Sequence, residues 1–193
     1  MSPISRRGFL AASALAAPAL AVATQGSASA DPATPKPSVL PGADVLAAEG
    51  WQKLAGRKVG VLSNPTGVLL NLTHIVDSMV AADLTPLAAF GPEHGFRGTS
   101  QAGGSEGNYT DPRTGIPVYD AYNATAEDLA GMSTKAGVDT VVFDIAGAGA
   151  RFYTYTWTMY LAMQAAVLTG ASFMVLDRPC PIEIGRASCR ERV

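Results

Sequence analysis

The chain has 193 residues, of which 48% are hydrophobic, 16% charged and 7% aromatic, with a formal net charge of −2. This length fits one domain, and the apolar content excludes a disordered or collagen-like chain. The lack of a basic excess argues against a nucleic-acid partner, and the two cysteines exclude a disulfide-stapled scaffold.

The N-terminus reads as an export signal. Arg6-Arg7 precede an Ala- and Leu-rich run to Ala23, and the small residues Ala28-Ser29-Ala30 follow. A basic start, an apolar middle and an A-x-A end make a secretory signal, and the paired arginines specify the twin-arginine type. The expectation is cleavage after Ala30 and a secreted or cell-envelope protein. No stable membrane anchor should remain, because the apolar run is short for a span of about 20 residues. Residues 31–42 hold four prolines and read as an extended linker.

Lys58–Ser63 is an apolar, β-branched run closed by Asn64-Pro65, and it predicts a strand. Residues 73–82 place Ile75, Val76, Met79 and Val80 at helical spacing, with Thr73 as cap. Pro86–Phe90 is a second apolar run, closed by Gly91-Pro92. Residues 98–115 read as a long polar loop, Ile116–Tyr119 as a short strand and 126–132 as a short helix. Val138–Ile145 is the clearest buried strand. Residues 154–168 predict an amphipathic helix with Met159, Met163 and Val167 in register, and 172–177 the last strand. Near-continuous apolar strands separated by helices predict an α/β fold, a mostly parallel sheet with helices on both faces, over residues 43–182.

The end of the chain differs in character. Residues 183–193 bring three Arg and two Glu after sparse charge. The string resembles the translation of a sequencing adapter, so these residues are expected to be non-native and the fold incomplete at its C-terminus. Residues 31–182 hold 9 Lys and Arg against 14 Asp and Glu. That acidity fits an exported protein and argues further against polyanions.

Asn64, Glu93-His94, Asp144 and Asp177-Arg178 each follow the carboxyl end of a predicted strand. Open parallel sheets bind ligands along that edge. Asn64 and Asp177 taken singly also suit a cap or a turn, but capping does not require the Glu93-His94 pair between glycines. The motif Gly91–Gly98 (GPEHGFRG) gathers a carboxylate, an imidazole and a guanidinium in one compact loop. A carboxyl near an apolar wall serves as a general acid. His94 beside it would orient it, bind substrate or share proton transfer, and Arg97 offers a fork for an anionic substrate group. The alternative is an internal Glu–Arg ion pair.

After Asp144, Gly147 and Gly149 give G-x-G, but Phe152 stands where a dinucleotide fingerprint has its third glycine. Phe152, Tyr153, Tyr155 and Trp157 suit stacking on a sugar ring. Helix-face packing is the alternative, and the better one for Phe152. Asp177 and Arg178 are either substrate groups or an ion pair at the sheet edge. With two histidines and no H-x-x-x-H spacing, no metal is expected.

GPEHGFRG, Arg151-Phe-Tyr-Thr-Tyr155, Leu176-Asp-Arg-Pro179 and Asn64-Pro-Thr-Gly67 together resemble the exo-β-N-acetylmuramidase (NamZ-type) family. The resemblance runs in the family's order over residues 43–182. It implies a Rossmann-like catalytic domain completed by a smaller C-terminal domain. The implied activity is a glycoside hydrolase that releases N-acetylmuramic acid from non-reducing ends of peptidoglycan fragments. Muramyl saccharides are the implied partners, and no cofactor is implied. Glu93 becomes the leading catalytic candidate, with His94 and Asp144 beside it. Asn64, Arg97, Arg151, Tyr153, Tyr155, Asp177 and Arg178 are the candidate substrate contacts, with Arg97 or Arg151 for the lactyl carboxylate. Ala146-Gly147 stand where the family has a Gln-Asp pair, Cys180 stands where it has Asn, and the chain stops where the family continues.

Glycosidases typically hold two carboxyl groups about 5–5.5 Å apart for retention and about 6.5–9.5 Å apart for inversion. Glu93 is expected to protonate the leaving oxygen. Asp144 ranks first as its partner and Asp177 second, with the substrate's acetamido group as a further choice. Two other readings stay open: a non-catalytic muropeptide-binding protein, which the lost Gln-Asp pair favours, and an inactive truncated fragment.

Overall fold

The computed structural model describes residues 39–150 and 152–180. The expected signal at 1–30, the linker up to residue 38, Arg151 and the tail at 183–193 lie outside the described residues.

Six strands form one sheet: β1 (Val59–Ser63), β2 (Ala88–Gly91), β3 (Tyr109–Thr110), β4 (Pro117–Asp120), β5 (Thr140–Asp144) and β6 (Ser172–Val175). Their order is β3-β4-β2-β1-β5-β6. Every pairing is parallel except β3 with β4. The helices are α1 (Gly42–Ala48), α2 (Ile75–Ala81), α3 (Ala126–Ala136) and α4 (Tyr155–Thr169), with a 3-10 turn at Gln52–Leu54. This is the α/β architecture that the apolar runs predict.

Both faces of the sheet are covered, so the central strands are apolar throughout. Val59 and Val61 of β1 and Val142 of β5 pack with Leu46, Trp51, Ile75 and Met79 on the α1/α2 side. Leu62, Val141 and Phe143 point the other way, to Leu129, Ala162 and Ala165 of α3 and α4. Each large side chain buried in this way contributes about 1.5–3 kcal/mol. The parallel register, with Ser63 beside Asp144 and Phe90 beside Tyr119, brings the carboxyl ends of the strands to one edge.

Several local expectations are corrected. Gly42, read as the end of the linker, opens α1, and its N–H donates to the Asp177 carbonyl at 2.8 Å. The cap of α2 is His74, whose side chain accepts from the Val76 N–H, rather than Thr73. The loop at 98–115 contains β3. Helix α3 runs past Met132 to Ala136, because Thr125 and Asp128 form a capping box and Gly137 ends it in the left-handed region. Helix α4 buries alanines (Ala162, Ala165 and Ala166) rather than a methionine stripe, and Val167 is 82% exposed. It is apolar on every side, so spacing alone did not identify the buried face.

Candidate active site

The first cluster stands where β1 and β2 end. Asn64 is buried. Its Oδ1 accepts from the Thr66 N–H at 2.9 Å and the Thr66 hydroxyl at 2.6 Å. That hydroxyl in turn accepts from the Ala146 N–H at 2.9 Å. The Ser63 hydroxyl donates to the Asp144 carbonyl at 2.8 Å, which ties the ends of β1 and β5 together. His74 caps α2 through Nδ1, so its Nε2–H donates to the Asn64 carbonyl, 3.2 Å away. Burial pushes the His74 imidazole down to about 4, and the Arg97 charge adds to this.

Glu93 follows β2 directly. Its Oε2 accepts from the Thr154 hydroxyl at 2.9 Å, and its Oε1 from the Gly103 N–H at 3.4 Å. The Tyr155 hydroxyl reaches the Glu93 carbonyl at 3.5 Å. Burial raises the Tyr155 phenol, opposed by Asn64 beside it and helped by the Glu93 charge, so it stays a donor. Glu93 is half-buried and lines a cleft of about 740 Å³ between the start of α3 and helix α4. Trp157 lines the same cleft. His94 is exposed and sits in the left-handed region at φ 69°.

The second cluster stands where β5 and β6 end. Arg178 grips Asp144 with both arms, Nε to Oδ1 at 2.6 Å and Nη2 to Oδ2 at 2.8 Å. Asp144 is 0% exposed. Burial pushes its carboxyl up, and Arg178 holds it back. The expectation of Asp144 as an open second carboxyl is therefore corrected, because its two oxygens face a guanidinium and no solvent. The ion pair at the edge is Arg178–Asp144, not Arg178–Asp177. Asp177 is exposed. Asp177, Arg178 and Tyr155 line a second cavity of about 470 Å³, with the Gly147–Ala150 backbone as one wall. At Gly147 a Cβ would meet nothing within 4 Å.

Arg97 is not an open fork, which corrects a further expectation. Its Nε and Nη2 donate to Asp111 at 3.2 and 2.7 Å, and its Nη1 and Nη2 donate to Asp77 at 3.3 and 2.7 Å. Arg113 joins Asp77 at 3.0 Å. Burial disfavours the Asp111 charge, but hydrogen bonds from Arg97 and Thr114 outweigh it and hold the carboxyl below its usual range. Phe96 is fully buried, with the His74 ring edge-on at 5.0 Å and the Arg97 guanidinium 4.7 Å from its ring centre. The internal Glu–Arg pair is absent too, since Arg97 turns from Glu93 to Asp77 and Asp111.

Phe152 is 84% exposed and stacks on Tyr153 at 5.2 Å, rather than packing on a helix face. Trp157 and Tyr160 pair at 5.2 Å and are also exposed. Arg151 lies outside the described residues. Thr66, His74, Asp77, Thr154, Glu106 and Asp111 were not singled out from sequence. Thr66 was visible within Asn64–Gly67. Nothing marked Glu106 or Asp111, because their partners are distant in sequence. Among the described residues, no three His, Cys, Asp and Glu side chains are gathered to hold a metal ion, and no helix is long and apolar enough to cross a membrane.

Residues 59–188 match the family model NamZ_N, described as exo-beta-N-acetylmuramidase NamZ, N-terminal. The chain is 45% identical over 147 residues to the peptidoglycan beta-N-acetylmuramidase NamZ of Bacillus subtilis (strain 168), a match covering 76% of this chain and 35% of that protein. A crystal structure of a DUF1343 family protein from Bacteroides fragilis NCTC 9343 superposes with a TM-score of 0.63 at 38% identity, covering 74% of this chain and 35% of the other. A second such protein from that organism gives 0.59 at 30% identity, covering 75% and 36%. The chain thus spans about a third of the length of the curated relative it matches.

Proposed function

The chain belongs to the exo-β-N-acetylmuramidase NamZ N-terminal family, and on that premise we propose that the protein is a glycoside hydrolase releasing N-acetylmuramic acid from non-reducing ends of peptidoglycan fragments. The observation that carries this reading is Glu93 lining the 740 Å³ cleft, with one carboxyl oxygen held by Thr154 and the other facing the Gly103 N–H. A carboxyl fixed at both oxygens is oriented before substrate arrives. Glu93 then protonates the leaving oxygen as general acid.

Asp144 serves this reading through Arg178, which it orients. Arg97 is enclosed by two aspartates, so the cation for the lactyl carboxylate of muramic acid in this scheme is Arg151 or Arg178, the latter through the Nη1 that Asp144 leaves free. Asp177 lines the cavity of Arg178 rather than the cleft that Glu93 lines, so this scheme leaves the second group to Asp177 or to the substrate's own acetamido group. His94 stands beside Glu93 and assists proton transfer. Trp157 and Tyr155 line the two cavities and offer ring faces to the sugar, with Tyr153 stacked on Phe152 nearby and Asn64 beside the Tyr155 hydroxyl. The paired arginines at 6 and 7 support export by the twin-arginine route, and cell-wall fragments lie in the compartment reached by it.

The test is release of N-acetylmuramic acid from a chromogenic muramide by the intact protein, wild type against Glu93→Gln. The expected loss in kcat is about 10²–10⁴-fold with the fold unchanged. Equal turnover in the two proteins would remove Glu93 from the chemistry. Muropeptide binding without turnover in wild type would replace the enzyme by a binding protein.

A further inference from the structure

The Gly91–Gly98 loop carries Glu93, yet little within the loop explains how it is held. The groups that hold it come from the segment before β3. Glu106 Oε1 accepts the Phe96 N–H at 2.8 Å, and Oε2 accepts the Thr99 hydroxyl at 3.1 Å. The carboxylate fills the space above Gly91 and Gly95, where a Cβ at either position would overlap it. Gly95 also needs its left-handed φ of 82°, but Gly91 has no such requirement. At Gly91 the need for glycine is therefore one of space, which Glu106 and the Phe96 N–H occupy.

The same segment supplies the other side of the grip on Glu93. The Ser100 N–H donates to the His94 carbonyl at 3.2 Å, and the Ser100 hydroxyl donates to the Gly104 carbonyl at 2.6 Å. The resulting turn brings the Gly103 N–H to Glu93 Oε1, 3.4 Å away. Glu106 thus sits where the two chain segments meet, the one bearing the acid and the one offering it a donor. We propose that Glu106 is a positioning residue that fixes Glu93 by pinning the Phe96 N–H and the Thr99 hydroxyl with its two carboxyl oxygens. It acts through those acceptor bonds and touches no substrate itself. The inference rests on the reading of Glu93 as the acid.

The experiment compares wild type, Glu106→Ala and Glu106→Gln of the intact protein in the chromogenic muramide assay. Each variant is also followed by thermal melting and by amide hydrogen exchange at Phe96. Alanine removes both acceptors. Its kcat should fall about 30–100-fold with KM changed less than about threefold, the mark of a misplaced acid rather than lost substrate contacts. The Phe96 amide should exchange faster. Glutamine keeps an acceptor for the Phe96 N–H and can donate to the Thr99 hydroxyl, so kcat should return to within about fivefold of wild type. A folded Glu106→Ala protein with wild-type kcat overturns the proposal, as does Glu106→Gln as slow as alanine. Should Glu106→Ala fail to fold, the glutamine variant decides by its kcat against wild type and its Phe96 amide exchange: within about fivefold with the amide still protected supports the proposal, and a loss of about thirtyfold or more, or wild-type kcat with an unprotected Phe96 amide, overturns it. Wild-type protein without turnover overturns the reading of the function itself, and the positioning role falls with it.

Discussion

The two halves of the Gly91–Gly98 motif have opposite environments. Glu93 lines the cleft and His94 beside it is exposed, and their side chains meet a hydroxyl, an amide and solvent. Phe96 and Arg97 are carried inward, onto His74 and between Asp77 and Asp111. Gly95, at φ 82°, is the pivot that turns the chain from one environment to the other. One string of residues therefore contains both the proposed acid and its anchor. Residue chemistry alone does not separate them, because a guanidinium serves equally well to bind a substrate anion or to neutralise two buried aspartates. The structure separates them by which groups arrive from α2 and from the residue after β3.

The comparison is broken most sharply by one substitution in each half. Glu93→Gln should remove about 10²–10⁴-fold in kcat while leaving the melting temperature within a degree or two. Arg97→Met should do the reverse. It leaves the buried Asp111 without its cation and Asp77 with only the exposed Arg113, and breaking such a network costs about 3–5 kcal/mol. Urea unfolding measures that loss directly. A Met variant as stable as wild type would show that the network holds nothing in place.

A third effect lies in the anchor and depends on pH. His74 has its imidazole pushed from 6.5 down to about 4 by burial, with Arg97 adding to the effect and Asp77 and Asp111 opposing it. The unfolded chain binds this proton more readily than the folded one. Stability should therefore be complete above pH 6.5 and be lost as pH falls toward 4, by about 3 kcal/mol in full. His74→Asn keeps an acceptor to cap α2 and does not titrate. Urea melts of the variant should lack this part of the acid loss. The same slope in both proteins would assign it to other groups.

Much of the fold was legible in the sequence, because a parallel sheet buried on both faces writes its central strands as apolar runs. β1, β2 and β5 were readable for that reason. β3 was not, since Tyr109–Thr110 is a brief edge pairing with no pattern of its own. Helix α4 was found, but its buried face was misread, because it is apolar all round and only packing picks the alanines. The site was half legible. Strand ends marked Asn64, Glu93, Asp144 and Arg178 as neighbours along one edge, and β-sheet geometry delivers them there. Their pairings were not legible. Arg178 crosses 34 positions to Asp144, and Arg97 crosses 20 to Asp77. No local spacing encodes such partners, and whether a carboxylate is sealed or open depends on them.

The smallest expected effect tests the rim itself. His94 sits in the left-handed region at φ 69°, a conformation that costs an L-residue about 1–2 kcal/mol. Glycine adopts it freely but gives the unfolded chain more entropy, about 0.5–1 kcal/mol. His94→Gly should therefore stabilise the protein by at most about 1.5 kcal/mol. In the anchor half any such exchange would be destabilising, since Phe96 and Arg97 are fully engaged. A side chain kept at a strained, exposed position beside the acid points to use rather than packing. If the imidazole assists Glu93, the more stable glycine variant should lose activity, and His94→Asn, which tolerates the same φ, should lose it equally. Wild-type turnover in both variants would make the strain a property of the turn alone and leave Glu93 as the one reactive group of the loop.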